Sequence, residues 1–293
     1  MTAPVFLLDP DRDDVSIDVH RLPADGIIRL PPAIRRHAVQ SMRLAQGDVF
    51  DLVDGRGLRL RCVLDGFATD GDATASVVGV ERDLEPATRL VLVQALAKFG
   101  HDEQAVDAAT QIGVDEVVPW QARRSIARWR PGRTDRVWAK TLAAATEQSR
   151  RARMPVLADC VNDRGLEGLC RRIVADGGFV IVLHQDATTT WSALSERIRR
   201  TGGDDRADAA RPRSIAVVVG PEGGIDEEEV AAFVAAGAES CALGVTILRA
   251  SVAGPVALSL LAGALGRFDA RRASDAEPVT DAAVTGDADE NAV

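Results

Sequence analysis

The order of apolar and polar positions divides the chain near residue 85. Before that point, "VFLLD", "GIIRL", "DVFDLVDG", "LRLRCVLDG" and "TASVVGVE" are short β-prone runs separated by glycine and aspartate turns. One helical stretch interrupts them, from Pro32 to Leu44, with Ile34, Ala38 and Met42 at helical spacing and prolines at its entry. Closely spaced short strands around one helix predict a small β-barrel over residues 1–85. "DLEPATR" then reads as a linker, with Pro86 marking the break.

From Leu90 the elements alternate. "RLVLVQALAK" is a buried strand, followed by the helix "DEQAVDAATQIG", whose Ala105, Val106, Ala109 and Ile112 share a face and whose Gly113 suits a C-cap. Strands "VDEVVPW", "MPVLAD", "FVIVLHQ", "IAVVVG" and "SCALG" alternate with helices around "TDRVWAKTLAAATEQSRR", "LEGLCRRIVADGG", "WSALSERIRR" and "DEEEVAAFVAAG". A last helix runs to Phe268. This alternation predicts an α/β domain over residues 86–270, its parallel sheet covered on both faces. "TGGDDRADAARP" reads as a polar surface loop. Residues 271–293 lack the apolar content to pack and read as a disordered acidic tail.

Charge sharpens this picture. The net charge of −9 argues against a nucleic-acid partner, yet its distribution is uneven. Between Trp120 and Arg153, ten basic residues face only Asp135 and Glu147, whereas Ser274 to Val293 holds six acids and no Lys or Arg. A concentrated basic band is the footprint a polyanion needs, and a solvated helix face is the competing reading. Four dispersed cysteines without a C-x-x-C pair and four scattered histidines indicate neither a disulfide framework nor a metal site. No run approaches a membrane span and "MTAPVFLLDPDRDD" lacks the features of a signal peptide, so a cytoplasmic protein without membrane contact is expected.

Ligands of open parallel sheets bind beyond the carboxyl ends of the strands. Three loops leave such ends: "LHQDAT", "GPEGG" and "LGVTILRAS". In the second, Gly223 and Gly224 are suited to positive φ, and Asp226 with Glu229 matches a capping box. Neither phosphate-binding glycine pattern is present, and Glu222 would repel a pyrophosphate. The turn therefore suits a ligand with positive or hydrogen-bond-donor character. On residue chemistry alone the chain reads no further than an α/β enzyme with a small-molecule site and an attached β module, for which contact with nucleic acid is one of the two readings left open.

The paired stretches "VVVGPEGGIDEEEV" and "LGVTILRASVAGPVAL" resemble the signatures of the RsmE family, SPOUT-class methyltransferases that act on N3 of a uridine in 16S ribosomal RNA. "QALAKFGHDEQAVDAATQIGVDEVVPW" resembles the family's lysine-containing strand and following helix, which marks Lys98. "EQSRRARMP" is similar to its E-Q-S-x-R-x-x-x-P stretch through Glu147, Gln148, Arg151 and Pro155. "HAVQSMRLAQGDVFDLVDGRG" is similar to its N-terminal PUA-like RNA-binding barrel through His37, Arg43 and Gly47.

The resemblance implies S-adenosyl-L-methionine as cofactor, a C-terminal trefoil knot and a homodimer acting on the small ribosomal subunit without a metal. Main-chain groups around Leu183, Gly220, Leu243, Gly244, Ile247 and Leu248 would grip the cofactor. His184, Glu222, Gly223, Gly224 and Ala253 would complete its enclosure. Arg249 would stabilise negative charge on the base. Arg43, Lys98, Arg123, Arg124 and Arg128, with Arg150, Arg151 and Arg153, would contact RNA. The chain departs from the family pattern after Arg249, where Ala250-Ser251-Val252-Ala253 lacks two threonine hydroxyls. It departs also at Ala97, where the family has proline, and at Gln185, where an acid is frequent. A methyltransferase with another RNA target, or an assembly factor weak in methyl transfer, is the alternative expectation.

Overall fold

The computed structural model describes residues 3–8, 26–67, 72–202 and 212–269. The acidic tail and most of the polar loop after Thr201 lie outside the described residues. Two sheets divide the chain between Arg82 and Arg89.

The first sheet joins β1 (Val5–Leu7), β2 (Ile27–Arg29), β3 (Val49–Val53), β4 (Leu58–Phe67) and β5 (Ala73–Arg82) in the order β1-β3-β4-β5-β2. The β1–β3 pair is parallel and the others are antiparallel. Alternate residues of β3 and β4 point into one core with Phe6, Ile28 and Leu30, where α1 (Pro32–Arg36) contributes Ile34. The single helix expected to run to Leu44 is shorter. After Arg36 the backbone widens into a π turn, with the Met42 N–H reaching the His37 carbonyl, and Arg43 then turns to φ +56.

The second sheet holds β6 (Arg89–Ala95), β7 (Glu116–Trp120), β8 (Val156–Leu157), β9 (Phe179–Leu183), β10 (Ser214–Val219) and β11 (Glu239–Cys241). All pairs are parallel, in the order β11-β9-β10-β6-β7-β8. Pleating sends Leu90, Leu92, Val217 and Val219 to one face. There they meet α2 (His101–Ile112), α3 (Thr134–Gln148), α5 (Trp191–Gly202) and α7 (Ala250–Ala264). Val91, Val93, Ala216 and Val218 point to the other face, against α4 (Asp163–Ala175) and α6 (Glu227–Ala235). Burial on both faces explains why these strands read as unbroken apolar runs.

Two expected elements are shorter. The "MPVLAD" strand reduces to β8, and α7 stops at Ala264, where Gly266 takes φ +70 and the Arg267 N–H bonds the Ala262 carbonyl. Arg267 then reaches the carbonyls of Gly113 and Thr88 and the carboxylate of Asp115, tying the end of α7 to the start of the sheet.

Candidate functional site

Because β11, β9 and β10 are neighbours, the loops leaving their carboxyl ends lie side by side. The Ala242 N–H donates to the Thr189 carbonyl at 3.0 Å and the His184 N–H to the Cys241 carbonyl at 3.1 Å, so the first and third loops are joined directly. Beyond that junction, the main chain of Leu243 to Leu248 makes no hydrogen bond among the described residues. Gly244 takes φ +129 with no atom within 4 Å of the place a Cβ would occupy. These N–H and C=O groups, which include those of Leu243, Gly244, Ile247 and Leu248, are left to water or to a ligand. Leu183 ends β9 opposite Cys241, and the Nδ1 of His184 accepts from the Asp186 N–H at 3.3 Å.

The "GPEGG" turn is built tightly. A Cβ on Gly220 would stand 2.5 Å from the Ile225 side chain, so glycine is required there. Of the two later glycines expected at positive φ, only Gly224 (φ +74) adopts it; Gly223 lies instead against the Cβ of Arg124. Asp226 and Glu229 form the expected capping box on α6. Glu229 also accepts the Arg123 N–H at 2.8 Å, which fastens the loop after β7 to this turn.

Glu222, expected to help enclose the cofactor, reaches the loop after β6. Its carboxylate accepts the Lys98 N–H at 2.8 Å and lies 3.2 Å from Nδ1 of His101. It thus bridges the loops after β6 and β10, 124 residues apart in the chain. Burial pushes its carboxyl up, but its own N–H, that of Lys98 and the His101 ring outweigh that, leaving it below the ordinary value. The turn's acid therefore satisfies backbone.

Arg249 stands at the N-cap of α7, exposed, with no side-chain capping bond and no ion pair among the described residues. Its carbonyl accepts the N–H groups of Val252 and Ala253. A cation at the positive end of a helix is unfavourable for the helix itself.

The basic band resolves into two sets. Arg123 pairs with Glu228 at 2.7 Å and Asp163 at 3.2 Å, and Arg124 with Asp226 at 2.8 Å. Arg151 and Arg153, expected at the RNA surface, turn inward. Arg151 donates to the Thr110 carbonyl at 2.8 Å, and burial pushes its guanidinium down to about 10 while Asp115 pulls it back. Arg153 donates to the Asp83 carbonyl at 2.8 Å. The carbonyl of Arg150 accepts from Arg59, whose guanidinium also forms a buried 2.7 Å pair with Asp51. Arg153 and Arg59 thereby join the two sheets, while Arg151 stays within the second. Arg128, Arg130, Arg133 and Lys140 remain exposed, without ion pairs among the described residues. Near them a cavity of about 350 Å³ is lined by Trp129, Pro131, Asp135 and Leu157 to Cys160, apart from the three loops.

Among the described residues no three of His, Cys, Asp and Glu converge as metal ligands, and no helix is long and apolar enough to cross a membrane. Burial pushes the four thiols up, to about 12 for Cys62 and about 11 for Cys160, Cys170 and Cys241, so each is protonated at neutral pH.

A family profile described as an RNA methyltransferase domain matches residues 84–262. The ribosomal RNA small subunit methyltransferase E of Mycobacterium bovis is 39% identical over 246 residues, which cover 82% of this chain and 87% of that protein. The protein of the same name from Bacillus subtilis is 25% identical over 77% of this chain and 85% of its own length. In fold, the chain is similar to the Neisseria gonorrhoeae ribosomal RNA small subunit methyltransferase E crystallised with S-adenosyl methionine. The TM-score is 0.70 with 21% identity, covering 89% of this chain and 98% of that one. With one relative matched over most of both lengths and a profile spanning the whole second sheet, the chain belongs to the RsmE family of ribosomal RNA methyltransferases.

Proposed function

We propose that the protein methylates N3 of a uridine in the 16S RNA of the small ribosomal subunit, using S-adenosyl-L-methionine. The observation that carries this reading is the loop Leu243 to Leu248, its main chain unpaired, running directly into an uncapped helix headed by the exposed Arg249. Backbone recognition suits an adenine and an amino-acid moiety, and the neighbouring cation suits a base that becomes an anion. When bound, the cofactor supplies an electrophilic methyl group. The chain's own residues orient and stabilise. Gly244 leaves room for close approach, the Asp186–His184 contact shapes the loop after β9, and Arg249 offsets negative charge on a uridine that has lost its imide proton. The missing threonine hydroxyls at Ala250 and Val252 leave this backbone grip in place.

The finer parts of the reading rest on the resemblance: a SPOUT-type trefoil knot around the last strand, a PUA-like barrel in the first sheet, a metal-free homodimer, and action in the cytoplasm. Exposed Arg128, Arg130, Arg133 and Lys140 serve as phosphate contacts in place of Arg151 and Arg153. The test is nucleoside mass spectrometry of small-subunit RNA after incubation with the protein and cofactor. Appearance of 3-methyluridine, abolished by Arg249→Ala while cofactor binding persists, is expected. Bound cofactor and bound subunits without 3-methyluridine would overturn the uridine-N3 assignment.

A further inference from the structure

The loop after β6 carries a conformation its sequence should avoid. The His101 N–H bonds the Lys98 carbonyl at 3.1 Å, closing a four-residue turn whose central residues, Phe99 and Gly100, lie at φ +58 and +73. Two successive positive φ values define a primed turn, for which Asn-Gly is the favoured pair. Phe99 gains nothing by burial in exchange, since it is 86% exposed. A bulky residue held at positive φ is an outlier, and such outliers persist where the surroundings impose them for a use.

The surroundings do impose it. The Lys98 N–H is held from outside the turn by the Glu222 carboxylate at 2.8 Å. The His101 ring closes the clamp from Nδ1 and meets the Phe99 ring edge-on, centroids 6.2 Å apart. The turn is therefore fixed at both ends, with one aromatic ring standing out of it.

Its location matters as much as its geometry. Strands β6 and β10 are neighbours, while the helices that follow them, α2 and α6, pack on opposite faces of the sheet. That is the switch point of the sheet, where open α/β folds bind ligands. Lys98, partly exposed and without an ion pair among the described residues, immediately precedes Phe99 in the turn. A rigid aromatic face next to a free cation matches one kind of partner: a nucleobase stacked on the ring with its phosphate on the lysine.

We propose that Phe99 is a stacking platform for an RNA base flanking the target nucleotide, and that the Glu222–His101 clamp exists to present it. This rests on the RNA-methyltransferase reading above and adds a positioning residue to it. Because the ring is strained in the free protein, removing it separates stability from function. Phe99→Gly and Phe99→Asn should melt at or above the wild-type temperature and keep cofactor affinity. Both should bind the small-subunit RNA about tenfold more weakly at every salt concentration, with the salt slope unchanged, since stacking releases no counterions. KM for the subunit should rise by a similar factor with little change in kcat, and Phe99→Trp should restore both.

Unchanged RNA affinity in folded Phe99→Gly would overturn the proposal. So would a disrupted dimer or abolished cofactor binding, either of which would make Phe99 a contact for those partners. The RNA-binding comparison needs no turnover. Failure of the wild type to methylate would therefore strike the proposed reaction and leave the test of Phe99 standing.

Discussion

An arginine heading an uncharged helix forgoes the hydrogen bond that Ser, Thr, Asp or Asn would give at that position and sets a cation against the helix dipole. Arg249→Ser should therefore stabilise the fold by about 0.5–1 kcal/mol in thermal or urea unfolding. Turnover should fall by about 10²–10³, as for removal of one donor to developing charge, with cofactor affinity near wild type by calorimetry. A variant both less stable and equally active would remove Arg249 from the reaction. Acid pH tests a second set of residues. Glu222 lies below its ordinary value despite its burial, held there by its own N–H, that of Lys98 and the His101 ring, and Asp226 is lowered chiefly by the Glu228 N–H. A carboxyl lowered on folding binds its proton more readily in the unfolded chain. Its stabilisation is whole above the unfolded value and is lost as pH falls through the folded one. Glu229, pushed up by burial, acts in the opposite sense, so the contrast is read on Glu222 alone. In Glu222→Gln the carboxamide oxygen still accepts from Lys98 but has no charge to lose, so its melting temperature should fall less than that of the wild type as pH drops below about 4.5.

Strands β6, β9 and β10 and the capped start of α6 were legible because apolar runs and the Asp226–Glu229 spacing are local signals. The direction of a charged side chain is not local. Arg151 and Arg128 look alike in a basic stretch, yet one finds the carbonyl of Thr110, 41 residues away, and the other stays exposed. The contact of Glu222 with the Lys98 N–H was illegible for the same reason, as was the Asp115–Arg267 contact that closes the domain. The two sets of arginines should separate in solution. Replacing Arg128, Arg130 and Arg133 together by alanine should weaken RNA binding and flatten its salt dependence, by about 0.7–0.9 log units for each phosphate no longer neutralised. Arg153→Ala should leave the slope unchanged and loosen the seam where it meets the Asp83 carbonyl, seen as faster amide exchange around Gly57 and Met154. If Arg153→Ala flattened the slope and the triple variant did not, the assignment of the two sets would be reversed.

The two sheets are joined because the end of α3 and the segment after it are shared between them. Glu147 accepts the Leu7 N–H at 2.8 Å, the Gly57 N–H bonds the Ala152 carbonyl, and the Met154 N–H bonds the Gly55 carbonyl. Under the proposed function, a base docked at the rim of the second sheet would be held at a fixed offset from any RNA on the first sheet, which would favour a large shaped RNA over a short one. One surface is left incomplete by this arrangement. Helix α7 has no charged residue, and Val252, Val256 and Leu260, four residues apart, form a stripe at least partly open to solvent, next to fully exposed Val245 and Ile247. An uncharged apolar stripe of this kind suits a two-fold partner, because the same patch on a second copy is self-complementary. The wild-type chain should therefore run as a dimer in light scattering at micromolar concentration. Leu260→Glu, which places a charge in that stripe away from the cofactor loop, should give a folded monomer with circular dichroism like the wild type. If the loop is completed by the partner, the monomer should also bind S-adenosyl-L-methionine more weakly, and concentrating it should restore binding along with the dimer. A wild-type monomer that binds cofactor at full strength would show that α7 needs no partner and that its apolar stripe faces water.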